Sequence, residues 1–169
     1  LDQLNLSSKD LKSRFDDKET MMIKRCLQHF LPEKVRKKIL NKLFNKILGK
    51  SESDISKQIY LNSRKILEMS SENMFFGIHG ERHLRWDKIK TKELNNEIDN
   101  SLNFFNKIGI NYNNFSVVYP YGFYNSDTLK IVKKKKILFG LTTQPNRVNK
   151  DVINKKLTLP RFDANDFRF

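Results

Sequence analysis

The sequence predicts an α/β chain in two unlike parts: an N-terminal α-helical subdomain over residues 1–73, and an α/β domain built on a parallel sheet or barrel over residues 74–169. Three observations carry this reading. Apolar residues recur at helical spacing as far as about Asn73, the signature of amphipathic helices. Beyond it, short apolar runs alternate with helical stretches, and such alternation implies right-handed βαβ crossovers between parallel strands. The length of 169 residues, at 38% hydrophobic and 11% aromatic content, suffices for a buried core and excludes a wholly disordered chain.

In the first part Met21, Met22, Cys26, Leu27 and Phe30 share one helix face. Pro32 suits the first position of a second helix, where its missing N–H is no loss. Val35, Ile39, Leu43, Ile47 and Leu48 give that helix an apolar side, and Gly49 falls where a C′ glycine belongs. A third helix is expected from about Ser63 to Ser71, with Ile66, Leu67 and Met69 inward. In the second part Met74–Ile78 reads as a buried strand. A long helix follows from about Thr91 to Ile108, with Leu94, Ile98, Leu102, Phe105 and Ile108 inward and Gly109 to stop it. Phe115–Tyr119 is the next strand, ended by Pro120, and Asn125 or Ser126 caps a helix through Val132. Ile137–Leu141 is a third strand and Leu157–Phe162 a fourth.

The charge calls for a decision about partners. There are 33 Lys and Arg against 19 Asp and Glu, a net +14, and the run Lys133–Lys136 adds to the suggestion of nucleic acid. Yet 24 of the 33 are Lys, accompanied by 18 Asn and 14 Ile, the bias that an AT-rich coding sequence produces. Arg, better suited to bidentate phosphate and base contacts, is the minority. No helix-turn-helix, zinc-finger or RNP-type pattern positions the charge, so it reads as a solvated basic surface. A nucleic-acid-associated protein stays the third reading. No apolar run approaches the ~20 residues of a membrane helix. Leu1–Asp10 is mixed and polar, unlike a signal peptide, which favours the cytoplasm. A start on Leu1 rather than Met leads us to expect further chain upstream. Lone Cys26 excludes an internal disulfide framework and a cysteine zinc knuckle.

Function in parallel α/β folds collects at the C-terminal ends of strands, which selects three segments. The first is His79-Gly80-Glu81-Arg82-His83. Two histidines four apart on a helical turn face the same way, which suits a divalent metal with two imidazole ligands and room for a carboxylate and a water. The alternative is a pair satisfied by backbone or by Glu81. The second is Tyr119-Pro120-Tyr121-Gly122-Phe123-Tyr124, a tight turn that can present backbone N–H groups to a reacting carbonyl, or plain aromatic packing. The third is Leu159-Pro160-Arg161-Phe162-Asp163. There Arg161 and Asp163 point the same way, either to orient a catalytic carboxylate or to pair with each other. Trp86, the single Trp, reads equally as a sugar-stacking platform or as packing, and His29 as surface or structural.

In order and spacing these segments resemble the second, third and fourth motifs of the polysaccharide deacetylases, the NodB-homology domain, in the branch that reads Tyr-Pro-Tyr-Gly. The stretch from about Ile23 to Leu48 is similar to a helical insertion of some members. The resemblance implies a deformed (β/α) barrel and metal-dependent hydrolysis of the N-acetyl group on an acetamido sugar or polysaccharide. It implies His79 and His83 as two of three Asp-His-His ligands to a divalent metal, zinc first, with cobalt or nickel as alternatives. It implies further that the Tyr121 amide holds the oxyanion, that Arg161 and Asp163 belong to the catalytic set, and that Tyr119, Pro120 and Gly122 lie along the substrate; Trp86, three residues past His83, joins them where it reads as a sugar-stacking platform.

Three departures bear on that expectation. The family's first motif, Thr-Phe-Asp-Asp-Gly at a strand end, is imitated by Phe15-Asp16-Asp17, but a charged helical stretch follows. Asp17 therefore reads as a helix start, where negative charge is favourable. No Leu-x-His follows His83, and Val118 stands where many relatives carry Arg, which passes that role to Arg161. The expectation is thus part of a deacetylase, weak by itself, or else a non-catalytic carbohydrate-binding or scaffold relative.

Overall fold

The computed structural model describes residues 16–110 and 115–167, and its two compact units part between Tyr60 and Leu61. In the first unit Asp17 caps α1 (Lys18–Arg25) by accepting the Thr20 N–H at 2.7 Å. Those bonds to Thr20 hold its carboxyl below the ordinary Asp value. Asp16 pairs with Lys24 at 2.7 Å. Asp17 thus marks a helix start, as its charged context implies; Phe15 lies outside the described residues. α1 runs on into a π-helical turn, Cys26–Phe30. Pro32 then caps α2 (Glu33–Leu48), one position ahead of the place expected for it. Gly49 closes α2 at φ 58°, a left-handed conformation that glycine adopts without steric cost. A further helix, α3 (Glu52–Ile59), begins where the Ser51 hydroxyl accepts the Asp54 N–H at 3.1 Å; the apolar spacing had not announced it.

In the second unit α4 (Ser63–Ser71) keeps its expected limits. Ile66 enters this unit's core, whereas Leu67, expected inward, is 41% exposed. The remaining elements are α5 (Thr91–Lys107), β1 (Ser116–Val118), α6 (Ser126–Lys134), β2 (Phe139–Leu141) and α7 (Lys150–Ile153). Strands β1 and β2 pair in parallel, Val117 opposite Gly140. Single parallel bridges continue the array on both sides, Ile78 to Val117 and Leu141 to Leu159. All four expected strand runs thus take places in one parallel array, but only two are regular strands. The full barrel implied by the resemblance is not formed among the described residues.

The core joins both layers. Leu94, Ile98 and Phe105 enter from α5, Ile131 and Val132 from α6, and Ile78 and Val117 from the array, with Trp86 and Tyr119 beside them. Each fully buried aliphatic side chain contributes roughly 1.5–3 kcal/mol relative to leaving it in water. A capping box at Asn125 and Thr128 starts α6, with the Asn125 side chain accepting the Thr128 N–H at 2.9 Å. Among the described residues no helix is long and apolar enough to cross a membrane.

Packing is close where β2 meets the segment before Leu159. The buried Tyr119 hydroxyl donates to the Leu157 carbonyl at 2.7 Å, and burial pushes its pKa well above the ordinary tyrosine value. A Cβ on Gly140 would overlap both groups. We expect Gly140→Ala to lower stability by about 1–3 kcal/mol through overpacking, read as a drop in the urea midpoint; an unchanged midpoint would show that this contact yields freely.

Candidate functional site

The parallel array sets the residues after Ile78, Val118, Leu141 and Leu159 at one edge, its carboxyl ends. His79 follows Ile78 directly, and its Nδ1 lies 2.6 Å from the Val118 carbonyl oxygen. A carbonyl only accepts, so Nδ1 carries the proton and Nε2 the lone pair. The chain then turns through Gly80 (φ 79°) and returns at His83 (φ 54°). His83 Nε2 comes to 2.9 Å from His79 Nε2, with the rings edge-on at 4.6 Å. A Cβ on Gly80 would stand 3.2 Å from both Glu97 Oε2 and Trp86 Nε1, so only glycine passes here without strain. A left-handed non-glycine such as His83 costs about 1–3 kcal/mol and persists only when its surroundings hold it.

Those surroundings are ionic. Glu97 on α5 is 1% exposed. Its Oε2 accepts the Arg82 backbone N–H at 3.0 Å and its Oε1 accepts Arg82 Nε at 2.7 Å. The guanidinium also reaches Glu93 at 2.9 Å. Hydrogen bonding to Glu97, reinforced by Glu93, raises the Arg82 pKa above the ordinary arginine value. Next to this pair Asn100 donates to Glu81 at 2.7 Å. Arg85 forks onto Asp87 at 2.7 and 3.1 Å and lies 3.6 Å above the Phe123 ring. Burial alone would raise the Asp87 pKa, but the Arg85 hydrogen bonds and charge outweigh it and leave the carboxyl low. The loop from His79 to Asp87 is thereby fastened to α5 and to the Tyr119–Phe123 turn.

That turn, a 3-10 element over Pro120–Gly122, holds Tyr121 at φ 56°. The Tyr121 ring stands edge-on to His83 at 4.3 Å. His79, His83 and Tyr121 therefore come together, and a Cβ on neighbouring Gly122 would run into Thr143. Arg161 is tied to the end of β2: its Nε donates to Thr142 O at 3.0 Å and its backbone N–H to Gln144 O at 3.1 Å. Asp163 is exposed, its N–H donating to Asp166 at 2.8 Å.

Trp86, Tyr119 and Pro120 are fully buried. The Trp86 ring meets Tyr119 edge-on at 6.1 Å and shows no face to solvent. Core packing, not a sugar platform, is its place in this structure, and Tyr119 and Pro120 support the turn from beneath. Arg82 stands within the His79–His83 segment without a role that its letter alone assigns, and Arg85 and Glu97 belong to no motif in the sequence. Glu97 carried a signal, a carboxylate on the face of α5 that also presents Leu94 and Ile98, since an acid there needs a partner.

Both histidines are exposed, so a solute can reach them. Two imidazole nitrogens bound at about 2.0–2.1 Å to one tetrahedral ion stand roughly 3.3 Å apart, and the observed 2.9 Å is within a few tenths of that. The pair fits as two ligands of a divalent metal. Among the described residues no third His, Cys, Asp or Glu completes a set of three.

A parallel α/β array with paired histidines at its carboxyl edge and a Tyr-Pro-Tyr-Gly turn against them defines the class: the chain belongs to the polysaccharide deacetylase family, whose model matches residues 41–139. It is similar to the Streptococcus pyogenes deacetylase PplD, solved in complex with acetate, at TM-score 0.55 and 27% identity over 60% of this chain. The match takes in 43% of the PplD chain, so this chain spans less than half of that structure. No curated protein matches it.

Two outcomes follow from this geometry. Glu97→Gln weakens the Arg82 contacts, so we expect a loss of about 1–3 kcal/mol in urea unfolding as the His83 turn loosens. Partial desolvation in the turn, and then the nearness of His79, lower the His83 pKa below 6.5. The native state therefore binds fewer protons than the unfolded chain, and stability is complete above that pH and falls as pH drops below it. Urea midpoints taken from about pH 8 to about pH 5 should show this decline, and His83→Gln should flatten it.

Proposed function

We propose that this chain carries the metal-holding and oxyanion-facing part of a deacetylase that removes an N-acetyl group from an acetamido sugar or polysaccharide. The observation that supports it best is the approach of His79 Nε2 to His83 Nε2, 2.9 Å, at the carboxyl edge of the array and against Tyr121. The family is generally metal-dependent, and His79 and His83 would hold the ion, zinc first among cobalt and nickel. Bound there, a divalent ion supplies Lewis acidity to an amide carbonyl and lowers the pKa of water.

The chain's own residues supply the rest. The Val118 carbonyl holds the Nδ1 proton of His79 and so directs the Nε2 lone pair outward. The left-handed Tyr121 sets its ring against His83, and its amide would be the donor that meets developing negative charge on the acetamide oxygen. Arg161, fixed at the end of β2, adds positive charge on the same edge, and Asp163 is the acid nearest to it in the sequence.

The test pairs metal binding with turnover. Zinc should bind to the full chain, and His79→Ala or His83→Ala should abolish that binding; zinc binding indifferent to both substitutions overturns the proposal. General acid–base groups are typically worth ~10²–10⁴-fold each in rate, and none is assigned here beyond Asp163. We therefore expect acetate release from N-acetylglucosamine oligomers to stay near background with zinc, cobalt or nickel. Robust release that disappears in His79→Ala would show that the base and the acid are already in these residues.

A further inference from the structure

Helix α2 is defined by what it leaves uncovered. None of its 16 residues is buried. Val35, Ile39, Leu40, Leu43, Ile47 and Leu48 are each between 37% and 72% exposed. At 3.6 residues per turn these six spread over roughly 220° of the helix, with Arg36 and Lys46 set among them, while Lys34, Lys38, Asn41, Lys42 and Asn45 fill the remaining side. A shallow apolar cleft of about 400 Å³ runs along Leu40, Leu43, Phe44, Ile47 and Leu48 as far as Glu52 of α3. The helix carries six basic residues, Lys34, Arg36, Lys37, Lys38, Lys42 and Lys46, against one acid, Glu33, which pairs with Lys37 at 2.8 Å.

We propose that α2 is an interfacial helix that docks this protein on an anionic lipid surface. The band and the charge must be explained together. An apolar groove on a neutral protein would cover the band but leave the basic excess unmatched. Nucleic acid would meet the charge but leave the aliphatic band in water. An acidic bilayer meets both, because aliphatic side chains sink to the acyl boundary while long lysine stems carry their ammonium groups up to the phosphates. The net +14 of the whole chain adds long-range attraction to the same surface. This inference does not depend on the deacetylase reading.

The test is co-sedimentation of the full chain with vesicles of phosphatidylglycerol and phosphatidylcholine, compared with phosphatidylcholine alone. Binding should be at least about tenfold stronger to the anionic vesicles and should fall steeply with added salt. The double variant Leu43→Asp, Ile47→Asp, both exposed positions, should lose about tenfold in affinity while keeping its far-UV circular dichroism and urea midpoint. A second variant, Lys38→Glu with Lys42→Glu, should lose a comparable amount and leaves the apolar band intact. Equal binding to neutral and anionic vesicles, or none to either, overturns the proposal. Anionic binding untouched by Leu43→Asp, Ile47→Asp reduces it to adsorption by surface charge and also overturns it. So does lipid-free dimerisation, seen by analytical ultracentrifugation, that the same apolar variant abolishes, since a second copy would then be the occupant.

Discussion

A carboxylate taken out of water must be met by donors, and in the second unit the acid so placed is Glu97. Arg82 meets it twice, once through the backbone N–H and once through Nε. Both bonds run from a loop to a helix, so they fix the course of the loop as well as the charge. The His79–His83 turn is pinned over α5 at the residue just before His83. The left-handed backbone at His83 and the ring contact with Tyr121 follow from that pinning. Gly80 completes the arrangement by letting the loop pass within van der Waals reach of the acid and of the Trp86 indole.

The parallel array does for the other segments what Glu97 does for the histidine loop. Strand ends that are distant in sequence finish at one edge, so His79, the Tyr119–Gly122 turn and Arg161 share that edge although 82 residues separate the first from the last. The Val118 carbonyl bound to the His79 ring shows how closely this works. A backbone group of one strand sets the tautomer of a side chain on the next. Chemistry at this edge needs no long side chains reaching across space, because the sheet has already brought the segments together.

Much of this was legible because it is local. Glycine at the end of α2, the limits of α4 and α5, and the Asn125 cap each depend on a few neighbouring residues, and each was found where the pattern put it. The four apolar runs were legible as strands, but their regularity was not. How far a strand extends depends on partners elsewhere in the chain, and the runs at Ile78 and Leu159 pair through single bridges. The eight-residue α3 escaped notice because its signal is a Ser51 cap rather than an apolar period. Trp86 and the Arg82–Glu97 pair show the same limit at the site. A tryptophan beside a candidate centre has the same letters whether it faces solvent or core. An ion pair spanning 15 positions leaves no spacing to recognise.

Parallel pairing also shapes the route by which the chain reaches this fold. Ile78 meets Val117 only across α5, Val117 meets Gly140 only across α6, and Leu141 meets Leu159 only across α7. Every one of these pairings closes a long loop before its first hydrogen bond forms, whereas the helices between them are local and two carry side-chain caps. The sheet therefore condenses late, onto helices already present. Until it does, apolar stretches such as Met74-Phe75-Phe76 and Phe115-Ser116-Val117-Val118 remain open to other chains at the same stage. Refolding is accordingly a race between intramolecular crossover and self-association, and dilution favours the first.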